Sequence, residues 1–142
     1  MTIKSLMEGQ THKVVSCSPD DSFQHGAALM AEYRIGALPV MEGERVVGVF
    51  SERDVLYCVA KEGGEVLNRR ISEVMTSPAI TITTDERILT ALSMMTRRRI
   101  RHLPVVDGDT MIGFVSIGDL VKYRMDRIEE EAQAMREYIT TA

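Results

Sequence analysis

The chain has no tryptophan, three phenylalanines, four tyrosines and two cysteines. So few aromatic rings leave little for successive bases to stack on. A net charge of −4 and a pI near 5.4 further argue against general nucleic-acid binding. Cys17 and Cys58 stand apart, without a CxxC or a cysteine-histidine spacing that would hold zinc, and are expected to be reduced and partly buried. His12, His25 and His102 are scattered, so no metal site is expected. No apolar run approaches the roughly 18 residues of a membrane span, and the opening MTIKSLMEGQ lacks a signal-peptide stretch, so a cytoplasmic protein is expected. Nor is there a nucleophile with its base, a metal-ligating cluster or a glycine-rich phosphate loop, which argues against an enzyme. One stretch departs from the acidic balance: Arg97, Arg98, Arg99, Arg101 and His102 crowd into six positions.

What the sequence does have is a duplication. Ile35 to Leu56 reads IGALPVMEGERVVGVFSERDVL and Ile100 to Val121 reads IRHLPVVDGDTMIGFVSIGDLV, with eight of 22 positions identical. A repeated unit of this size predicts two similar folds packed together, with any pocket of one copy recurring near a pseudo-twofold axis. Each half, at about 60 residues, would be marginal alone, so the two should fold as one body. The boundaries read as a first repeat over 1–62, a linker over 63–70 holding Gly63 and Gly64, a second repeat over 71–125 and a helical extension over 126–142.

Within each copy, Ile3 to Met7 and Ile71 to Met75 look like single helical turns, with an insertion around Glu8 to His12 in the first copy. Lys13 to Ser16 and Ala79 to Thr83 are strand-prone. Ser18-Pro19-Asp20-Asp21 reads as a helix start, and Thr83 with Glu86 as a capping box. The helices that follow carry Phe23, Ala27, Met30 and Ala31, or Ile88, Leu92 and Met95, at core spacing. Leu38 to Met41 with Arg45 to Phe50, and Leu103 to Val106 with Met111 to Val115, then form hairpins turning at Glu42-Gly43 and Asp107-Gly108. Each unit is therefore β-α-β-β-α, an α+β fold.

The last helix should run from Ser116 to about Tyr138, with Ile117, Val121, Met125, Ile128, Ala132, Met135 and Ile139 in one apolar seam. A seam longer than its own body suggests a partner helix, most simply from a second subunit. The alternative is a helix laid back on its own module.

The sharpest motif is Gly, two apolar residues, Ser, two variable residues, Asp: Gly48 to Asp54 and again Gly113 to Asp119. It delivers a hydroxyl and a carboxylate to a helix N-terminus, where ribose hydroxyls suit the carboxylate and phosphate suits the N–H groups. The competing explanation is a plain capping box that needs no ligand.

Duplicated, and preceded each time by Ile-x-x-Leu-Pro-Val, this unit resembles the cystathionine β-synthase (CBS) domain pair, or Bateman module, over residues 1 to 125. The resemblance implies two packed β-α-β-β-α units with pseudo-twofold symmetry. It also implies homodimers, and two clefts for AMP, ADP, ATP, NAD(H) or S-adenosylmethionine that regulate a protein partner rather than catalyse. By motif, one cleft would use Ser51, Arg53 and Asp54 with Ala79, Ile80, Ile100, Arg101 and His102. The other would use Ser116, Gly118, Asp119 and Lys122 with Val15, Ile35, Gly36 and Ala37, and Arg34 within reach. The first is the stronger phosphate site, since Arg101 and His102 stand where copy one has Gly36 and Ala37. A 2′-phosphate would meet the ribose-binding carboxylate, which disfavours NADP. Arg97 and Arg98 are expected to serve the helix dipole instead. The alternative function is a ligand-free dimerisation or scaffold protein.

Overall fold

The computed structural model describes residues 1–10 and 13–141; His12 and part of the expected insertion lie outside them. The first repeat comprises α1 (Ile3–Glu8), α2 (Phe23–Tyr33), β1 (Ala37–Glu42), β2 (Arg45–Ser51) and α3 (Glu52–Glu62). The second comprises α4 (Ile71–Val74), α5 (Ile88–Arg98), β3 (His102–Asp107), β4 (Thr110–Ser116) and α6 (Ile117–Thr141). Both hairpins turn over two residues, with Gly43 at φ 62° and Gly108 at φ 61°, the left-handed conformation such tight turns demand.

The expected leading strands shrink to single parallel bridges, Cys17 with Val40 and Ile82 with Val105. The cause lies across the gap. Cys17 donates to the Pro39 carbonyl at 3.1 Å and accepts from Met41 N–H at 2.8 Å; Ile82 does the same with Pro104 and Val106 at 3.0 and 2.9 Å. Extending either ladder two residues back would require an N–H from Pro39 or Pro104, and proline has none.

Both expected helix starts are early by about four residues. Ser18 instead closes a turn, its N–H donating to Asp21 Oδ2 at 2.8 Å, and Ser22 caps α2 by accepting from His25 N–H at 3.1 Å. Thr83 bonds Asp85, and α5 starts after Arg87 with no side-chain cap. The early turn is held by the other repeat: Ile71 N–H donates to Asp21 O and Ser72 N–H to Pro19 O, at 2.9 and 3.0 Å. Along α2 the buried face is Phe23, Gly26 and Met30; Ala31 is exposed. Gly26 is there because a Cβ would come within 2.7 Å of the Phe50 ring, itself edge-on to Phe23 at 5.3 Å.

Two cores result, and each borrows a piece of the other repeat. Ile3 and Leu6 of α1 pack with Ile88, Met95, Leu103 and Leu120, whereas Ile71 of α4 packs with Phe23, Leu38 and Phe50. The segment read as a linker is a 3-10 turn, Gly63–Asn68, that buries Val66 completely, and Arg69 fastens it to Glu62 and Glu73 at 2.7 and 2.9 Å. The repeats thus fold as one interlocked body.

Candidate functional site

The two Gly-x-x-Ser-x-x-Asp motifs end β2 and β4 and open α3 and α6. In the first, Ser51 N–H donates to Asp54 Oδ2 at 2.9 Å and Asp54 N–H to Ser51 Oγ at 3.3 Å. In the second, Ser116 and Asp119 repeat the exchange at 2.9 and 3.1 Å. The capping boxes are therefore real. They do not exhaust the carboxylates, which have room for about four donors. Asp54 Oδ1 receives the Thr76 hydroxyl from the other repeat at 3.2 Å, while Asp119 Oδ1 takes no such bond among the described residues.

The motif glycines serve the interlock. A Cβ on Gly48 would lie 2.7 Å from Met75 Sδ and 2.9 Å from Thr76 O; one on Gly113 would lie 2.6 Å from Met7 Cε. At Gly48 the absent side chain lets the second repeat reach β2, where Val49 and Thr76 exchange backbone hydrogen bonds at 3.0 and 2.9 Å. That contact carries Thr76 to the Asp54 side chain and Pro78 and Ile80 to the same cleft.

The first cleft encloses about 720 Å³ counting its open mouth. Of the residues assigned to it from sequence, Ser51, Arg53, Asp54, Ile80, Ile100, Arg101 and His102 all line it. Ala79 does not, although its neighbours Pro78 and Ile80 do. Gly36 and Ala37, assigned to the other cleft, line this one, joined by Val49, Thr76 and Arg99.

Arg99 was missed because a run of arginines at a helix end looks like dipole compensation. It is the left-handed residue that ends α5, at φ 54°, and its carbonyl accepts from Arg53 Nη1 at 2.7 Å. This bond clamps the two repeats across the cleft. Arg34 takes the same left-handed place after α2, at φ 53°, but Gly118 stands where Arg53 does, so the clamp has no twin.

The second cleft measures about 570 Å³ on the same basis and is lined by Val15, Ile35, Ala37, Ser116 and Asp119, with Lys13, Val14, Phe114 and His102. Gly118 and Lys122 lie off its wall; Lys122 is 78 % exposed and its ammonium is paired with Asp126 at 2.8 Å. Arg34 borders a separate surface hollow beside Glu52.

His102 lines both clefts. Its ring stacks on Phe114 with centroids 5.5 Å apart and planes 16° from parallel, and its Cε1 lies 3.3 Å from where a Gly36 Cβ would be. Burial, reinforced by the Arg101 charge, pushes its pKa below the ordinary 6.5, against weaker opposing pulls from Asp119 and Glu52. Cys17 is buried with its thiol pushed up to about 12 by burial and by Asp21, which leaves it unreactive.

Comparison with known proteins agrees with this architecture. The CBS domain family matches twice, at residues 3–61 and 71–126. The mitochondrial CBS domain-containing protein CBSX3 of Arabidopsis thaliana is 34% identical over 128 residues, covering 87% of this chain; the chain spans 62% of that protein's length. A crystal structure of a CBS-domain-containing protein from Agrobacterium tumefaciens superposes with a TM-score of 0.81 at 32% identity, covering 87% of this chain and 92% of its own. The CBS domain pair of protein MJ0100, solved in complex with 5′-methylthioadenosine and S-adenosyl-L-methionine, shares the fold at a TM-score of 0.77 and 21% identity, covering 89% of this chain and 98% of its own.

Proposed function

The chain belongs to the CBS domain family, with two of the domains in tandem, and on that premise we propose that it is a regulatory module binding adenosine-containing ligands between its repeats. The observation that carries the reading is the convergence, at one cleft, of the Asp54 carboxylate with Arg53, Arg99 and Arg101 around an apolar wall of Val49, Ile80 and Ile100. The apolar wall suits a base, the carboxylate suits vicinal ribose hydroxyls, and the guanidiniums suit phosphate. AMP, ADP, ATP and NAD(H) share these parts. NADP would set its 2′-phosphate against Asp54.

The second cleft offers Asp119 with a single lysine and the stacked His102–Phe114 wall. It suits adenosine or a weakly charged derivative, S-adenosylmethionine among them, better than a polyphosphate. Binding is the whole activity in this reading: the free-energy difference between empty and occupied arrangements is what a protein partner or a second subunit senses. No helix among the described residues is long and apolar enough to cross a membrane, and the unpaired Cys17 and Cys58 are consistent with the reducing cytoplasm of this reading.

A scaffold without ligand is the second reading, favoured by the complete capping boxes at Asp54 and Asp119. A thermal-shift panel of adenosine, AMP, ADP, ATP, NAD, NADP and S-adenosylmethionine separates the two. A ligand at 100 times its Kd stabilises the folded chain by about 2.7 kcal/mol. Stabilisation by AMP and not by NADP is expected; no stabilisation by any of the seven would leave the scaffold.

A further inference from the structure

The apolar seam of α6 leaves its own body near Tyr123, and every residue from Met125 to Thr141 is exposed. The free stretch rises about 25 Å at 1.5 Å per residue. This excludes a helix laid back on its own module, and it leaves Met125 63 %, Ile128 48 %, Met135 59 % and Ile139 67 % accessible.

The seam steps by four and three, the heptad rhythm of a coiled coil. Met125, Ala132 and Ile139 take the a positions, and Val121, Ile128 and Met135 the d positions. The flanking positions then read Lys122, Glu129 and Arg136 on the e side and Arg124, Glu131 and Tyr138 on the g side. In a parallel, in-register pair, each g residue meets the e residue five places further along the other helix. Arg124 then faces Glu129 of the second copy and Glu131 faces Arg136, and the twofold symmetry makes each pair twice.

The antiparallel pairing that overlaps the whole seam sets Met125 beside Met135 and Ile128 beside Ala132. It also sets Glu129 on Glu129, Glu131 on Glu131 and Lys122 on Arg136, like on like. The intrahelical ion pairs, Lys122 with Asp126 and Arg127 with Glu130, leave Glu129 and Glu131 to the seam's edges.

We propose that α6 pairs with α6 of a second copy as a parallel, in-register coiled coil, its direction set by the Arg124–Glu129 and Glu131–Arg136 charges. About three heptads are marginal alone, so the coil sets orientation in concert with contacts between the bodies. It places both bodies at one end of the coil. The inference is independent of the nucleotide reading: the clefts could bind nothing and the coil would still form.

Two experiments on the full-length chain test it. With Cys58→Ser removing the accessible native thiol, Ala132→Cys should oxidise to a linked dimer, because twin a positions of a parallel coil lie within the roughly 4.4 to 6.8 Å that a disulfide spans. An antiparallel coil would instead link an equimolar mixture of Ile128→Cys and Ala132→Cys chains and leave Ala132→Cys alone unlinked, which overturns the proposal. In sedimentation, Glu131→Arg should weaken dimerisation about three- to tenfold, and Glu131→Arg with Arg136→Glu should restore it. A double reversal no better than the single one, or a wild-type chain that stays monomeric at tens of micromolar, overturns it as well.

Discussion

Ser51 with Asp54 and Ser116 with Asp119 close the same capping box, with the serine N–H 2.9 Å from the aspartate in both. Around that common start the two clefts diverge. At the first, Thr76 engages the aspartate, Arg53 clamps the Arg99 carbonyl, and Arg101 adds a second guanidinium. At the second, Gly118 stands in the sequence place of Arg53, no arginine lines the wall, and the basic and aromatic side chains on it are Lys13, His102 and Phe114. Duplication supplied the scaffold twice, and a few substitutions on it divided the charge unevenly. In the function proposed above, both clefts would take a nucleoside, and the arginines would reserve phosphate for the first.

The comparison is broken most severely by removing the shared element. Asp54→Ala should lower AMP affinity at the first cleft by about 10- to 100-fold, the loss of one charge-assisted bond to ribose. Asp119→Ala should leave that site unchanged. The stability cost should be only about 0.5 to 2 kcal/mol, the worth of a helix cap. Calorimetric titration of AMP alongside denaturant unfolding checks both numbers, and an Asp54→Ala chain that binds like wild type removes the ribose assignment.

Arg53→Ala makes the first cleft resemble the second by releasing the Arg99 carbonyl. A single exposed hydrogen bond of about 0.5 to 1.5 kcal/mol predicts a loss of AMP affinity between twofold and about tenfold. The same titration reads it, and an unchanged affinity would make the clamp incidental to binding.

The wall that the clefts share responds to pH. The folded chain holds His102 neutral below the pH at which the unfolded chain protonates it, so the unfolded state takes the proton first. Stability from this group is intact above 6.5 and declines as pH falls below it. His102→Gln should flatten the stability profile in that window, as measured by denaturant midpoints at stepped pH. A wild-type profile already flat there would place His102 in a different environment.

Much of this was legible in the sequence because the repeat prints its own alignment. The hairpins, the Ser-to-Asp boxes and the long last helix follow from glycine placement and apolar rhythm, which are local signals. The failures are contacts between repeats. Ser18 looks like a helix cap until Ile71 and Ser72 claim the carbonyls of its turn. Ala79 looks like a wall residue, yet Pro78 and Ile80 line the cleft and it does not, and Thr76 carries no local mark of a residue delivered to Asp54 by the glycine of that aspartate's own motif. Gly36 and Ala37 were placed in one cleft because motif transfer treats the clefts as separate, whereas the β1 and β3 starts meet at the pseudo-twofold axis and serve both. The missing third strand could have been read: Pro39 and Pro104 are in the sequence, and each withholds the N–H that the ladder needed.

The most direct test of the central claim is to titrate adenosine and AMP into wild type and Arg101→Ala at two salt concentrations. If the first cleft holds ribose through Asp54 and phosphate through its arginines, adenosine affinity should be unchanged by the substitution. AMP affinity should fall by about 1.5 to 3 kcal/mol, and its salt dependence should shrink. Equal losses for both ligands, or no loss for either, would contradict it.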